Sequence, residues 1–310
     1  MRDDDGMRLL LTNDDGIDSI GLHILARAMR RHGEVVIIAP DREYSGAGAA
    51  LGALHLMQPE ARRTTVDGID EAWAVTGPPA LCVMFARLGA FGGPAGKPFD
   101  LIVSGINPGA NVGRSVYHSG TVGAALSGRN GGISGVAVSQ AVTGFGIEGQ
   151  GWDEMLIGQK WDTAAAVADA FVEGLIGNLP SDAVVVNLNV PNTELDEITG
   201  WCHAEVGLEP PRRLASAVLH PKEGHGGAFC VKMTWGDAVE LPAHTDGGAV
   251  EDGKVAISYL TRLEAMQRTD MATAEASLSG LVKRLVREDL AGLDLVGELL
   301  ANRRAADNAT

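Results

Sequence analysis

Leu9-Leu10-Leu11, closed by Thr12 and running straight into Asn13-Asp14-Asp15-Gly16, is the stretch that most narrows what this chain can become. Such a run, led by Arg8 and without polar alternation, fits a buried central strand of a parallel sheet. In such sheets ligands bind beyond the carboxyl ends of the strands, which is where Asp14 and Asp15 would stand. Two adjacent carboxylates repel, and a divalent cation between them is the simplest remedy. Asn-Asp-Asp-Gly is equally the material of an ordinary turn.

The pattern after this turn is that of a βαβ unit. Asp18 or Ser19 can cap a helix whose apolar face carries Ile20, Ile24, Leu25, Ala28 and Met29 and which Gly33 closes. Residues 34–40 form a second short apolar strand, and a loop, Asp41-Arg42-Glu43-Tyr44-Ser45-Gly46-Ala47-Gly48, follows it. Gly46-x-Gly48 with Gly52 invites a dinucleotide reading, but the third glycine comes a residue late and the motif follows the second strand, not the first. Residues 53–75 read as a hairpin or edge strands, with Asp67-Gly68 as the turn. Gly77-Pro78-Pro79 then opens an apolar helix over 80–88.

A third strand, residues 100–104, runs into Gly105-Ile106-Asn107-Pro108-Gly109-Ala110-Asn111-Val112-Gly113. Glycine lets backbone approach a ligand closely, and asparagine offers an oxygen to a metal or an NH2 to a phosphate. His118-Ser119-Gly120-Thr121-Val122 then enters a helix of small residues. A helix N-terminus carries free N–H groups and partial positive charge, so it can hold phosphate without lysine. Ser119 or Thr121 could equally serve as the N-cap.

Beyond a fourth strand at 135–139 and a loop-rich stretch over 143–160, a core helix spans about 161–179 with Ala164, Val167, Ala168, Phe171, Leu175 and Ile176 on one face. Residues 183–191, containing Asn187-Leu188-Asn189-Val190-Pro191, form another strand. From 199 to 255 glycines and prolines punctuate short apolar pieces, an excursion in which His220, His225 and His244 match no zinc spacing. Residues 255–260 return to strand character, and two amphipathic helices, around 272–290 and 293–301, close the chain.

Composition excludes several classes. A formal net charge of -15 argues against a nucleic-acid partner, whose phosphates demand Lys and Arg. Cys82, Cys202 and Cys230 lack metal or disulfide spacing and read as buried thiols. The acidic start, Met1-Arg2-Asp3-Asp4-Asp5-Gly6, is not a secretory signal, and no apolar run is long enough to span a membrane. The expectation is a cytoplasmic protein with a small-molecule substrate.

Three strand ends thus carry oxygen ligands and phosphate donors. These are Asp14 and Asp15, then Ser45, then Asn107 and Asn111, with the 119–121 helix start after them. Such a set suits metal-assisted phosphoester hydrolysis. A phospho-aspartate mechanism would need an acid at Asn13.

The motifs at 10–17, 36–48, 103–113 and 118–125 together resemble the SurE survival-protein nucleotidases. The resemblance implies a Rossmann-like α/β fold with a doubly wound, mainly parallel sheet, a C-terminal hairpin excursion and a helical tail. It also implies a metal-dependent 5'/3'-nucleotidase, with some members cleaving short polyphosphate. By the same resemblance Asp14, Asp15, Ser45 and Asn107 are metal ligands for Mg2+ or Mn2+. Asn111, Ser119, Gly120 and Thr121 form the phosphate cradle, and Asp14, Asp15 and Asn111 are catalytic. The expected organisation is a catalytic core over 1–198, an oligomerisation region with its return strand over 199–262, and a helical tail over 263–310. A homodimer or homotetramer built through C-terminal exchange is implied. The chain departs from the family pattern at Pro78 and Leu81, where a threonine and an acid are usual, and at Ser127, also usually acidic. A nucleotide-binding scaffold without turnover is the alternative.

Overall fold

The computed structural model describes residues 6–54, 56, 58–91, 97–143, 154, 156–209, 212–222, 224, 226–263, 265–266 and 268–287. The chain divides into two compact units, Met1–Thr261 and Arg262–Thr310.

The first unit is built on a nine-stranded sheet. Its strands are β1 (Arg8–Thr12), β2 (Glu34–Pro40), β3 (Ala61–Val66), β4 (Ile69–Val75), β5 (Leu101–Pro108), β6 (Ser134–Gln140), β7 (Val185–Val190), β8 (Gly200–His203) and β11 (Lys254–Leu260), in the order β3-β4-β2-β1-β5-β6-β7-β11-β8. Strands β4, β2, β1, β5, β6 and β7 run parallel, and the central β1, β2 and the start of β5, covered on both faces, are nearly unbroken apolar sequences. Edge strand β3 folds back antiparallel on β4 about Asp67-Gly68, as the turn residues predict. On the other side β11 returns antiparallel to β7 and pairs parallel with β8.

Helices cover both faces. On one, α1 (Ile20–Met29) and α4 (Trp161–Ile176) cover Leu9, Leu11, Val103, Val136, Val186 and Leu188. On the other, α2 (Pro79–Arg87) and α3 (Gly120–Arg129) lie over Leu10, Val36, Ile38 and Ile102. The chain passes from β1 to β2 on one side and later to β5 on the other, so the order in which strands are added reverses between β1 and β5. That reversal opens the crevice in which ligands of such folds bind.

The buried stripe of α1 is Gly21, Leu22, Leu25, Ala26 and Met29, rotated from the expected face, and Ile20 is exposed. Gly21 explains the rotation: a Cβ there would lie 2.1 Å from the Ile106 carbonyl oxygen, so this side of the helix is the one that reaches the sheet. Helix α4 stops at Ile176, and its buried positions are Trp161, Thr163, Ala164, Ala165, Ala168 and Val172, with Val167, Phe171, Leu175 and Ile176 packed beside them.

The excursion contains a separate antiparallel ribbon, β9 (Arg212–Pro221) with β10 (Phe229–Ala238), and a short helix α5 (Asp246–Glu251) precedes β11. The cysteines depart from expectation: Cys82 is buried, but Cys202 is half-exposed on edge strand β8 and Cys230 is exposed on β10. Neither an edge strand nor a ribbon arm has a second layer to enclose a thiol. His220 and His244 are exposed, and His225 lies outside the described residues. In the second unit α6 spans Ala272–Arg287 and exposes Leu278; the helix expected at 293–301 lies outside the described residues.

Candidate active site

The turn after β1 is both a turn and a platform. The Asn13 side-chain amide donates to the Gly16 carbonyl at 3.0 Å and to Ser19 Oγ at 2.6 Å, while Ser19 caps α1. Asn13 is thus occupied in fastening the loop. The Tyr44 N–H donates to the Asp14 carbonyl at 2.7 Å, which draws the loop after β2 alongside.

The Asp14 side chain faces the start of α3. Its Oδ1 accepts from the Thr121 hydroxyl at 2.5 Å, and its carboxylate also accepts from the Gly120 N–H. A Cβ on Gly120 would sit 2.7 Å from Asp14 Cβ and 2.8 Å from Oδ2, so only glycine lets the helix come this close. Burial pushes the Asp14 carboxyl above the usual range, with the Thr121 and Gly120 bonds opposing it. Asp15 is pushed up further, first by burial, then by the neighbouring Asp14 and by Glu43. Asp15 is half-buried as a residue, yet its Oδ2 is enclosed and has no hydrogen-bond partner.

Ser119 is the N-cap of α3, its Oγ accepting from the Val122 N–H at 3.1 Å, whereas Thr121 serves Asp14. Ser45 is exposed; the Tyr44 bond places its loop, not its hydroxyl, beside Asp14. Asn107 lies on β5 opposite Ser139 and turns its amide NH2 to the Gly109 carbonyl at 2.6 Å, leaving its acyl oxygen as the end open to a cation. Asn111 donates its side-chain NH2 to Ser139 Oγ at 2.8 Å, and Asn187 and Asn189 of β7 hold its peptide. Beyond it, the buried Asp246 carboxylate accepts the N–H groups of Gly113 (3.0 Å to the nearer oxygen), Gly207 (3.0 Å) and Gly247 (2.9 Å).

Glu43, Ser139, Asn189 and Asp246 escape the sequence reading. Asn187-x-Asn189 does carry a signal, since two polar residues two apart on an otherwise apolar strand share a face. Asp246 carries none beyond following the helix-capping Thr245.

Among the described residues no three His, Cys, Asp or Glu side chains are placed to hold a metal ion together. The donor set at the crevice is instead two carboxylates with neutral oxygens, the chemistry of a hard cation that also keeps water or substrate oxygens. An unpartnered buried oxygen on Asp15 and two carboxyls disfavoured as anions by burial both fit such an ion. Asp14, Asp15 and Asn107 could hold it, with Ser45 on the adjoining loop.

The family model described as Survival protein SurE matches residues 9–211, ending where the β9–β10 arm begins. A relative from Histophilus somni named 5'-nucleotidase SurE is 32% identical over 282 residues, covering 91% of this chain and 100% of that protein. A relative from Salmonella paratyphi A named 5'/3'-nucleotidase SurE is 35% identical over 254 residues, covering 82% of this chain and 90% of that protein. The crystal structure of the SurE protein from Aquifex aeolicus superposes with a TM-score of 0.67 at 27% identity, over 88% of this chain and 99% of that one. With the parallel sheet, the crevice and the paired carboxylates in place, these matches show that the chain belongs to the SurE family.

Proposed function

We propose that the chain is a metal-dependent phosphomonoesterase that hydrolyses nucleoside 5'- and 3'-monophosphates to nucleoside and phosphate, with short polyphosphate as a further substrate. The observation that carries this reading is the pair Asp14 and Asp15 at the carboxyl end of β1, Asp14 buried against the N-terminus of α3 and Asp15 half-buried beside it with one enclosed, unpartnered oxygen. The names of the relatives supply the substrate class.

In this reading Asp14, Asp15, Ser45 and Asn107 hold Mg2+ or Mn2+. Bound there, the cation supplies positive charge that offsets the two carboxylates, polarises the phosphoryl group and acidifies water. Asn111, Ser119, Gly120 and Thr121 form the phosphate cradle at the α3 start, where the helix dipole favours an anion; with its hydroxyl donating to Asp14, Thr121 contributes its backbone N–H there. Asp14 is aimed by the Thr121 hydroxyl and cannot swing without breaking that bond. Asp15 keeps an unpartnered oxygen, and it is the carboxylate to which we assign the proton of the attacking water. Water adds to phosphorus and gives its proton to Asp15, the bond to the nucleoside oxygen breaks, and that oxygen leaves as a hydroxyl once a proton is returned to it, so that one water is consumed for each nucleoside and phosphate released.

The same reading gives a homodimer or homotetramer, a cytoplasmic setting and no nucleic-acid partner. One face of the β9–β10 ribbon supports assembly: Leu219, Phe229, Val231 and Met233 share it by register and are exposed. Among the described residues no helix is long and apolar enough to cross a membrane.

Phosphate release from a panel of 5'- and 3'-monophosphates, with Mn2+, with Mg2+ and with chelator, tests the proposal. Release that needs the cation and disappears in Asp14→Asn is expected. Nucleotide binding without release would favour a scaffold, and release indifferent to chelator would remove the metal role.

A further inference from the structure

The Asn187-x-Asn189 pair remains without a role in the reaction. Both side chains are fully buried on β7, in a strand whose other residues, Val185, Val186, Leu188 and Val190, are apolar core. Both turn to one peptide. The Asn111 N–H donates to Asn189 Oδ1 at 2.8 Å, and Asn189 Nδ2 donates back to the Asn111 carbonyl at 3.2 Å. A single side-chain amide thereby makes the reciprocal pair of bonds that one strand residue makes with its partner in an antiparallel ladder. Asn187 Nδ2 adds a second donor to the same carbonyl at 2.8 Å. The third hold is on the side chain, whose NH2 donates to Ser139 Oγ.

Fold stability alone does not account for this arrangement. Asn187 Oδ1 is buried with no partner, and a half-satisfied amide in a core costs more than an apolar residue of similar size. Nor does the loop at 109–113 depend on these bonds for its attachment, because the Gly109 N–H is already tied to the Gln140 carbonyl and the Gly113 N–H to Asp246. The side-chain bonds from β7 converge on Asn111.

We infer that Asn189, assisted by Asn187, is a positioning residue: it fixes the peptide of Asn111 so that the Asn111 side chain meets the substrate phosphate at a set place. The inference rests on the reading of Asn111 as a phosphate-cradle residue. Held on three sides, Asn111 is delivered to the crevice with little freedom left to lose on binding, which favours affinity through preorganisation. Asn189 itself is buried and touches neither cation nor phosphate in this scheme.

The test is a double-mutant cycle on the Mn2+-loaded protein, with Asn111→Ala, Asn189→Ala and the double variant, read as KM, kcat, inhibition by inorganic phosphate and Mn2+ affinity. Asn189→Ala should raise KM and the phosphate inhibition constant about tenfold, with kcat and Mn2+ affinity changing less than about threefold. The double variant should be no worse than Asn111→Ala alone, because both act through one side chain. Asn187→Val, which removes only the second donor to the Asn111 carbonyl and an amide oxygen that lacks a partner, should raise KM and the phosphate inhibition constant by less than Asn189→Ala does; it also serves if the alanine variant does not fold, and unchanged phosphate affinity in it together with Asn189→Ala would overturn the inference. Additive losses, or equal falls in kcat, Mn2+ affinity and thermal stability, would reduce Asn189 to a structural residue and overturn the inference. If Asn111→Ala binds phosphate like the parent chain, the cradle reading of Asn111 fails, and the inference with it. Weakening in Asn111→Ala but not in Asn189→Ala overturns the inference alone.

Discussion

The Thr121 hydroxyl donates to Asp14 Oδ1 across 2.5 Å, joining the first turn of α3 to the turn after β1. Thr121 thereby orients a carboxylate in addition to any contact it makes with phosphate. Thr121→Val keeps the shape and removes the donor, leaving a buried carboxylate oxygen short of a partner at a cost of about 1–3 kcal/mol. Both Mn2+ affinity and turnover should fall, turnover by about a hundredfold if one charge-aiming donor is lost. Thr121→Ser should restore both. Calorimetric Mn2+ titration of the three proteins checks this, and unchanged Mn2+ affinity in Thr121→Val would count against it.

Asp15 sets a pH dependence. Its carboxyl is raised by burial and by Asp14, so in the metal-free protein the folded state binds more protons than the unfolded one at pH values between the ordinary carboxylate pKa and the raised one. Stability therefore falls as pH rises through that window. Thermal unfolding of metal-free protein should show a higher midpoint at mildly acidic pH than at neutrality, and Asp15→Asn should flatten the profile and raise the neutral midpoint. Saturating Mn2+ should stabilise the parent chain at neutral pH and do little for Asp15→Asn.

Two glycines should respond oppositely to alanine. At Gly120 the new methyl would overlap Asp14, so Gly120→Ala should cost about 1–3 kcal/mol and most of the activity. Gly174 is exposed in α4, and a Cβ added there would meet nothing within 4 Å. Gly174→Ala should therefore gain about 0.5–1 kcal/mol with activity unchanged. Chemical denaturation and initial rates on both variants suffice.

Asp246 gathers three backbone N–H groups from separate places: Gly113 after Asn111, Gly207 at the entrance to the arm, and its own helix at Gly247. Asp246→Ala should destabilise by about 3 kcal/mol or more, since two buried donors and one half-buried donor lose their acceptor. Asp246→Asn, which retains one acceptor oxygen, should lose less. Hydrogen exchange at Gly113 and Gly207 should accelerate together in the alanine variant; acceleration at only one would show that the carboxylate does not join them.

Much of this protein is settled by local sequence. Unbroken apolar runs at 9–11, 35–39 and 101–103 require strands buried on both faces, and Asp67-Gly68 requires a tight reversal. Asn-Asp-Asp-Gly after the first strand puts two acids at the carboxyl edge of the sheet, and Ser119 ahead of small residues marks a helix start. Each of these follows from residues adjacent in the chain.

What tertiary structure decided are relationships between distant residues. Thr121 reads locally as a cap or a phosphate ligand, and only the packing of α3 over β1, with no side chain at Gly120, turns its hydroxyl to Asp14, 107 positions away. Asn189 pairs with Asn111, 78 positions earlier, because β7 lies beside β6. Which face of α1 is buried was likewise decided by one close approach, Gly21 to Ile106. The physical reason is common to all three. Periodicity and turn chemistry act over a few bonds, but a hydrogen bond between side chains from different elements depends on how those elements are set against one sheet.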